Sequence, residues 1–208
     1  MEIRLLYLHM KTLLLVSLFI TIGTSPPRVH SPKIIAQNVD TTLVALQRKK
    51  NAIDEYLSKH QKEIILLAKV PGKKKLIHVL NGKWPDEVEY SYNILKDKSG
   101  HIIFIMESPF SESGDWDIEY HHYFDENGKT YAFSREESIF TNIQGGIIRK
   151  LLLKFYDNNF NAINTTEKFM DVKFKTIKIK KEQYDFNDFR YNIYKNLSEC
   201  LTGYHIEF

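Results

Sequence analysis

A chain of 208 residues with 43% apolar and 13% aromatic side chains can build one ordinary packed core, and it is too apolar to be disordered. Its net charge of +3 is too small to argue for nucleic acid. A single cysteine, Cys200, excludes an internal disulfide, so stability must come from the core.

The chain opens on Arg4 and Lys11 ahead of an uncharged run, LLLVSLFITIG, at residues 13–23. A basic region followed by roughly 7–15 apolar residues is what export machinery reads. The run is shorter than the roughly 20 residues a spanning helix needs. Residues 1–24 therefore read as an export signal or an uncleaved anchor. The expected destination is periplasmic, cell-surface or extracellular. If the signal stays on, residues 12–23 contact the membrane. Residues 25–39, proline-rich at their start, read as a linker. Residues 40–208 read as a single globular domain.

Asp40 and Thr41 suit the cap of a helix beginning near Thr42. Leu43, Leu46, Ile53, Tyr56 and Leu57 fall at helical spacings and carry it to His60. Residues 62–70, ending in EIILLAKV, fit either a continuation of that helix or a buried strand, because an apolar run has both periods.

From there the pattern becomes short runs of branched and aromatic residues separated by turns. LIHVL precedes NGKW, VEYSYNIL and HIIFIM flank DKSG, YHHYF and TYAFS flank DENGK, and RKLLLKFY and AINTTEKF flank DNNFN. Asp97, Asp125 and Asp157 each close a strand, where an aspartate can bond backbone amides of a turn. Gly100 and Gly128 then sit where a left-handed residue is needed; in the third copy that residue is expected to be Asn159. VKFKTIKIK reads as one more strand, bulged at Thr176. Near the C-terminus Phe186, Phe189, Ile193, Leu197 and Leu201 predict a helix capped by Asp185 and ended by Gly203, with Cys200 a small buried hydrophobe on its face. The fold class is α+β: an antiparallel meander of about six to eight strands packed against an N-terminal and a C-terminal helix.

In DWDIEYHHYFD, strand parity puts Trp116, Ile118, Tyr120, His122 and Phe124 on a core side. Asp115, Asp117, Glu119, His121 and Tyr123 fall on a solvent side. His121 and His122 therefore point apart and do not share a metal. Asp115, Asp117, Glu119 and His121 form a candidate binding row, yet alternate strand residues are about 6.6 Å apart, too far for a full row to converge on one ion. No metal site and no cofactor is expected. Lys173, Lys175, Lys178 and Lys180 form a second candidate surface, read first as the guarded edge of a sheet.

Local signatures of hydrolases, phosphate loops and zinc sites are missing. Glu107 and Glu112 add to the acids that a carboxylate-based hydrolase could draw on without a local motif. The function expected from the sequence is an exported, non-catalytic binding module for an unknown protein, glycan or anionic surface ligand, with no nucleic acid partner. The alternatives are an extracytoplasmic hydrolase using the acidic and histidine row, and a membrane-tethered protein that binds a polyanion through its lysine-rich strand.

Overall fold

A computed structural model of the chain describes residues 33–140, 146–179 and 189–208, with side chains from residue 41 onward. The export segment, residues 25–32 of the expected linker, Lys180, Asp185 and Phe186 lie outside the described residues. Helix α1 (Lys33–Lys59) is followed by a single 3₁₀ turn at Gln61–Glu63. Then come β1 (Ile65–Lys69), β2 (Ile77–His78), β3 (Tyr90–Lys96), β4 (Ile102–Pro109) and β5 (Trp116–Phe124). β6 (Thr130–Phe140), β7 (Ile147–Tyr156), β8 (Ala162–Met170), β9 (Thr176–Ile177) and α2 (Leu197–Tyr204) complete the order. No helix among the described residues is long and apolar enough to cross a membrane.

The fold is dominated by one antiparallel sheet of nine strands, ordered β2-β1-β3-β4-β5-β6-β7-β8-β9, with two helices. The α+β expectation holds in this coarse form. The strand number exceeds six to eight because residues 62–70, open between helix and strand in the sequence, supply a ninth strand, while β2 and β9 are only two residues long within the runs expected there. The first helix lies inside the chain and begins at Lys33, ahead of the expected cap at Asp40. The open question at 62–70 resolves as strand β1, paired with β3 from Ile65↔Ile94 to Lys69↔Tyr90.

Alternate residues of the same strands feed separate cores on the two faces. Ile94, Ile105 and Phe124 join Leu67, Tyr92, Cys200 and Tyr204 in one cluster. Their neighbours Leu95, Phe104 and Tyr123 join Ile53, Tyr131 and Phe155 in another, with Leu43, Leu46, Tyr56 and Leu57 packed against it. Successive strand residues point to opposite faces. So α1 covers one face of the sheet and α2 the other. This corrects the expectation of a solvated side on β5: His121 and Tyr123 are buried there. Parity separates the faces of a strand but does not say whether both are covered.

Helix α1 is fixed by polar contacts as well as by its leucines. The Tyr123 hydroxyl donates to Asp54 Oδ1 at 2.8 Å. The Lys50 ammonium donates to Asp54 Oδ2 at 2.7 Å and lies 4.8 Å from the Tyr123 ring centroid.

Four hairpins share one turn. After Asp97, Asp125, Asp157 and Asp171, the aspartate Oδ1 accepts the backbone N–H groups two and four residues on, at 2.8–2.9 Å. The third residue is left-handed in every copy: Gly100, Gly128, Phe160 and Phe174. This is a type I turn closed by a left-handed residue. Phe160, not Asn159, takes that place, since the backbone bonds of the Asp157 turn copy the glycine-bearing ones. The fourth copy, DVKFK, interrupts the strand expected over 172–180 and leaves only Thr176–Ile177 paired.

The C-terminal helix is shorter than expected. It starts at Leu197, where the Asn196 side chain accepts the Glu199 N–H at 2.9 Å, and ends on left-handed His205. Residues 189–194 are neither helix nor strand and run as a strap instead, with a bend at Lys195. Tyr191 and Ile193 lie on the sheet, Phe189 meets Trp116 while itself exposed, and Arg190 and Asn192 are exposed. A strap that alternates every two residues also satisfies the spacing of four between 189 and 193 that reads as helical.

Candidate functional site

The predicted acidic row is only partly assembled. Asp115 is exposed, and its carboxylate takes the Ser113 hydroxyl. Asp117 is half-buried across from Ser138. Glu119 and His121 do come together: His121 Nε2 is 3.0 Å from Glu119 Oε2. β6 adds two residues that the sequence did not announce. His121 Nδ1 lies 3.1 Å from the Ser134 hydroxyl and 3.7 Å from Glu136 Oε1. The register makes this group, because His121 pairs with Ser134 and Glu119 with Glu136. A serine, a histidine and a carboxylate in contact resemble a nucleophile and its relay. Ser134, however, is fully buried, so its hydroxyl meets no substrate. The better reading is a bridge: the imidazole sits between two carboxylates that face each other across strands, where like charges destabilise. Among the described residues no group of three or more such side chains is arranged to hold a metal ion.

The lysines do not form one strand row. Lys173 and Lys175 are exposed in the fourth turn, and Lys178 is exposed just beyond β9. β9 is an edge of the sheet. Its two-residue length and flanking lysines are the usual defence of an edge against further pairing. Cys200 is fully buried, and burial pushes its thiol well above the usual range, which leaves it a core residue.

The cavity with distinctive chemistry lies on the face covered by α2. A cleft of about 170 Å³ opens between β4, β5, the 189–194 strap and α2. Among the described residues lining it Glu107 is the one carboxylate, and Tyr90, Tyr120, Tyr191, Tyr194 and Tyr204 form much of its wall. The placement follows from strand register: Tyr92 pairs with Glu107 and Glu107 with Tyr120, which puts all three on one face. The Tyr92 hydroxyl donates to Glu107 Oε1 at 3.2 Å, and the Tyr204 hydroxyl faces the same carboxyl.

Burial raises the Glu107 carboxyl to about 7, and the two tyrosine hydroxyls hold it below where burial alone would put it. No ion pair to Glu107 occurs among the described residues; Arg190 lines the cleft from an exposed position. The hydroxyl of Tyr120, a residue 2% exposed, has no hydrogen-bond partner among them either. Burial raises the Tyr92, Tyr120 and Tyr204 hydroxyls far above their usual range, so they remain protonated donors. The strap is held by ring contacts. Tyr191 stacks on Tyr120 at 5.3 Å and on Phe133 at 5.6 Å, with the Arg135 guanidinium 4.7 Å from its centroid. Gly203 lies against Tyr194, and a Cβ there would overlap the Tyr194 hydroxyl. Gly203 therefore stands inside α2 to admit a ring. The helix end expected of it falls to His205.

Glu107 is visible in the sequence only as one acid among many. Its distinguishing feature is enclosure by tyrosines from β3, β5, the strap and α2, which no local motif encodes.

No protein-family model, curated protein or solved structure matches the chain.

Proposed function

We propose that the protein is an exported, non-catalytic binding module that seats a small ligand in the cleft over Glu107. The observation that carries this reading is a half-buried carboxyl enclosed by tyrosine hydroxyls and rings, beside a buried Tyr120 hydroxyl with no partner. Small-molecule sites are concave, largely apolar or aromatic, and carry a few convergent polar groups. Export is supported by the basic and apolar residues before position 24.

The absence of turnover is supported by the same cleft. Glycoside hydrolysis needs a second carboxyl roughly 5–9.5 Å from the first. Among the described residues lining the cleft Glu107 is the one carboxyl, and its neighbours are tyrosines too weakly acidic to exchange protons near neutrality. A fragment library screened by NMR against the isotope-labelled protein tests the reading. Hits should move resonances of Tyr120, Tyr191 and Tyr194 and vanish in Tyr120→Ala. Hits confined to other surfaces, or turnover of a fragment by the purified protein, would sink it.

A further inference from the structure

The cleft has a charge requirement. Glu107 has hydroxyl donors but no ion pair among the described residues, and the group that would complete it is a cation. The surrounding walls suit one kind of cation. Tyr90 and Tyr194 offer ring surface beside the Tyr120–Tyr191 stack, whose own cation, Arg135, is paired with Glu137; ring faces attract organic ammonium groups while providing little to a small hydrated metal ion. A cavity of about 170 Å³ has room for a headgroup and not for a large ligand. Arg190 stands at the exposed rim, where water screens its opposition to an entering cation.

We propose that the ligand of this cleft is an organic ammonium group, held by the Glu107 carboxylate as counter-charge and by the tyrosine rings as walls. The inference rests on the cleft being the binding site, and its test separates the two.

Choline serves as the cationic probe and 3,3-dimethyl-1-butanol as its neutral isostere, each titrated at about pH 8 with tyrosine ring resonances as the readout. Choline should bind more tightly than the isostere. Glu107→Gln should weaken choline by roughly tenfold and leave the isostere unchanged. Equal binding of both probes, or choline binding indifferent to Glu107→Gln, overturns the ammonium inference and leaves the cleft as a site for neutral ligands. Failure of both probes to move any cleft resonance overturns both readings.

If Glu107→Gln proves misfolded by near-ultraviolet circular dichroism, acidification of the native protein to about pH 5.5 replaces it. The groups facing Glu107 from β3, β5, the strap and α2 are Tyr90, Tyr92, Tyr120, Tyr194, Cys200 and Tyr204. All of them have raised values and keep their protons throughout. Protonation of Glu107 should therefore release choline and spare the isostere; retained choline at about pH 5.5 overturns the proposal.

Discussion

The backbone N–H of Tyr194 donates to Nε2 of His122 at 3.2 Å, across 72 positions of sequence. The bond ties the strap to the centre of the sheet and decides the imidazole's tautomer: Nε2 accepts, so the ring proton sits on Nδ1. His122 is fully buried, and desolvation, then the nearby His121, lowers it to about 3.

Stability should therefore respond to pH through opposed groups: His122 on one side, and on the other Glu107, with buried Glu137 raised in the same direction. Unfolded His122 takes up a proton near 6.5 and the folded ring only near 3, so its contribution is lost as pH falls through that window. Folded Glu107 holds its proton to about 7, against 4.5 when unfolded, so its contribution is lost as pH rises from 4.5 to 7. The two slopes offset each other between 4.5 and 6.5, where urea midpoints of the native protein should change little. Glu107→Gln should remove its share of the offset and give midpoints that fall steadily on acidification from about pH 6.5, by at most about 1.4 kcal/mol of stability per pH unit. A variant profile parallel to the native one would contradict the assignment.

Asp54 holds α1 through two bonds, one to a hydroxyl buried under the helix. Asp54→Ala should destabilise the protein by about 1–3 kcal/mol, because the Tyr123 hydroxyl is left without an acceptor. Tyr123→Phe should cost less. The double variant should cost less than the sum of the two, as measured by chemical denaturation.

The left-handed phenylalanines should respond in opposite ways to glycine. Phe174 is 47% exposed with the Arg149 guanidinium 4.8 Å from its ring centroid, so Phe174→Gly relieves backbone strain of about 1 kcal/mol, offset in part by loss of that contact. Phe160 stacks on Tyr156 with centroids 4.4 Å apart, and Phe160→Gly forfeits that contact. Thermal unfolding should show a higher midpoint for Phe174→Gly and an unchanged or lower one for Phe160→Gly.

Gly203→Ala should destabilise by about 1–3 kcal/mol, since the new methyl group overlaps the Tyr194 hydroxyl. In a Tyr194→Ala background the same change should be neutral or stabilising, because alanine is the better helix former by about 1 kcal/mol. Equal cost in both backgrounds would show that the ring is not the obstacle.

The strands were legible because alternation and turn chemistry act locally. Asp97–Gly100 and Asp125–Gly128 announce their hairpins without reference to the rest of the chain. What escaped depended on partners distant in sequence. Alternating lysines concealed the turn after Asp171 inside an apparent strand. The helical reading of residues 186–196 failed for Phe189 and Ile193, which belong to a non-helical strap lying over Trp116 and Phe133. His121 was legible as distinct from His122, but its contact with Ser134 requires the β5–β6 register. The Glu107 cleft was least legible, since its tyrosines arrive from four elements and no spacing links them.

The strand order carries a kinetic consequence. From β3 to β9 every strand lies beside its neighbour in sequence, and each connection is short. Contacts between near neighbours require little loop closure, and chains rich in them reach the native state quickly for their size. The sheet can therefore grow one hairpin at a time, each aspartate turn closing before the next strand is needed. The bond from Tyr194 to His122, across 72 positions, closes a far longer loop than any of these hairpins.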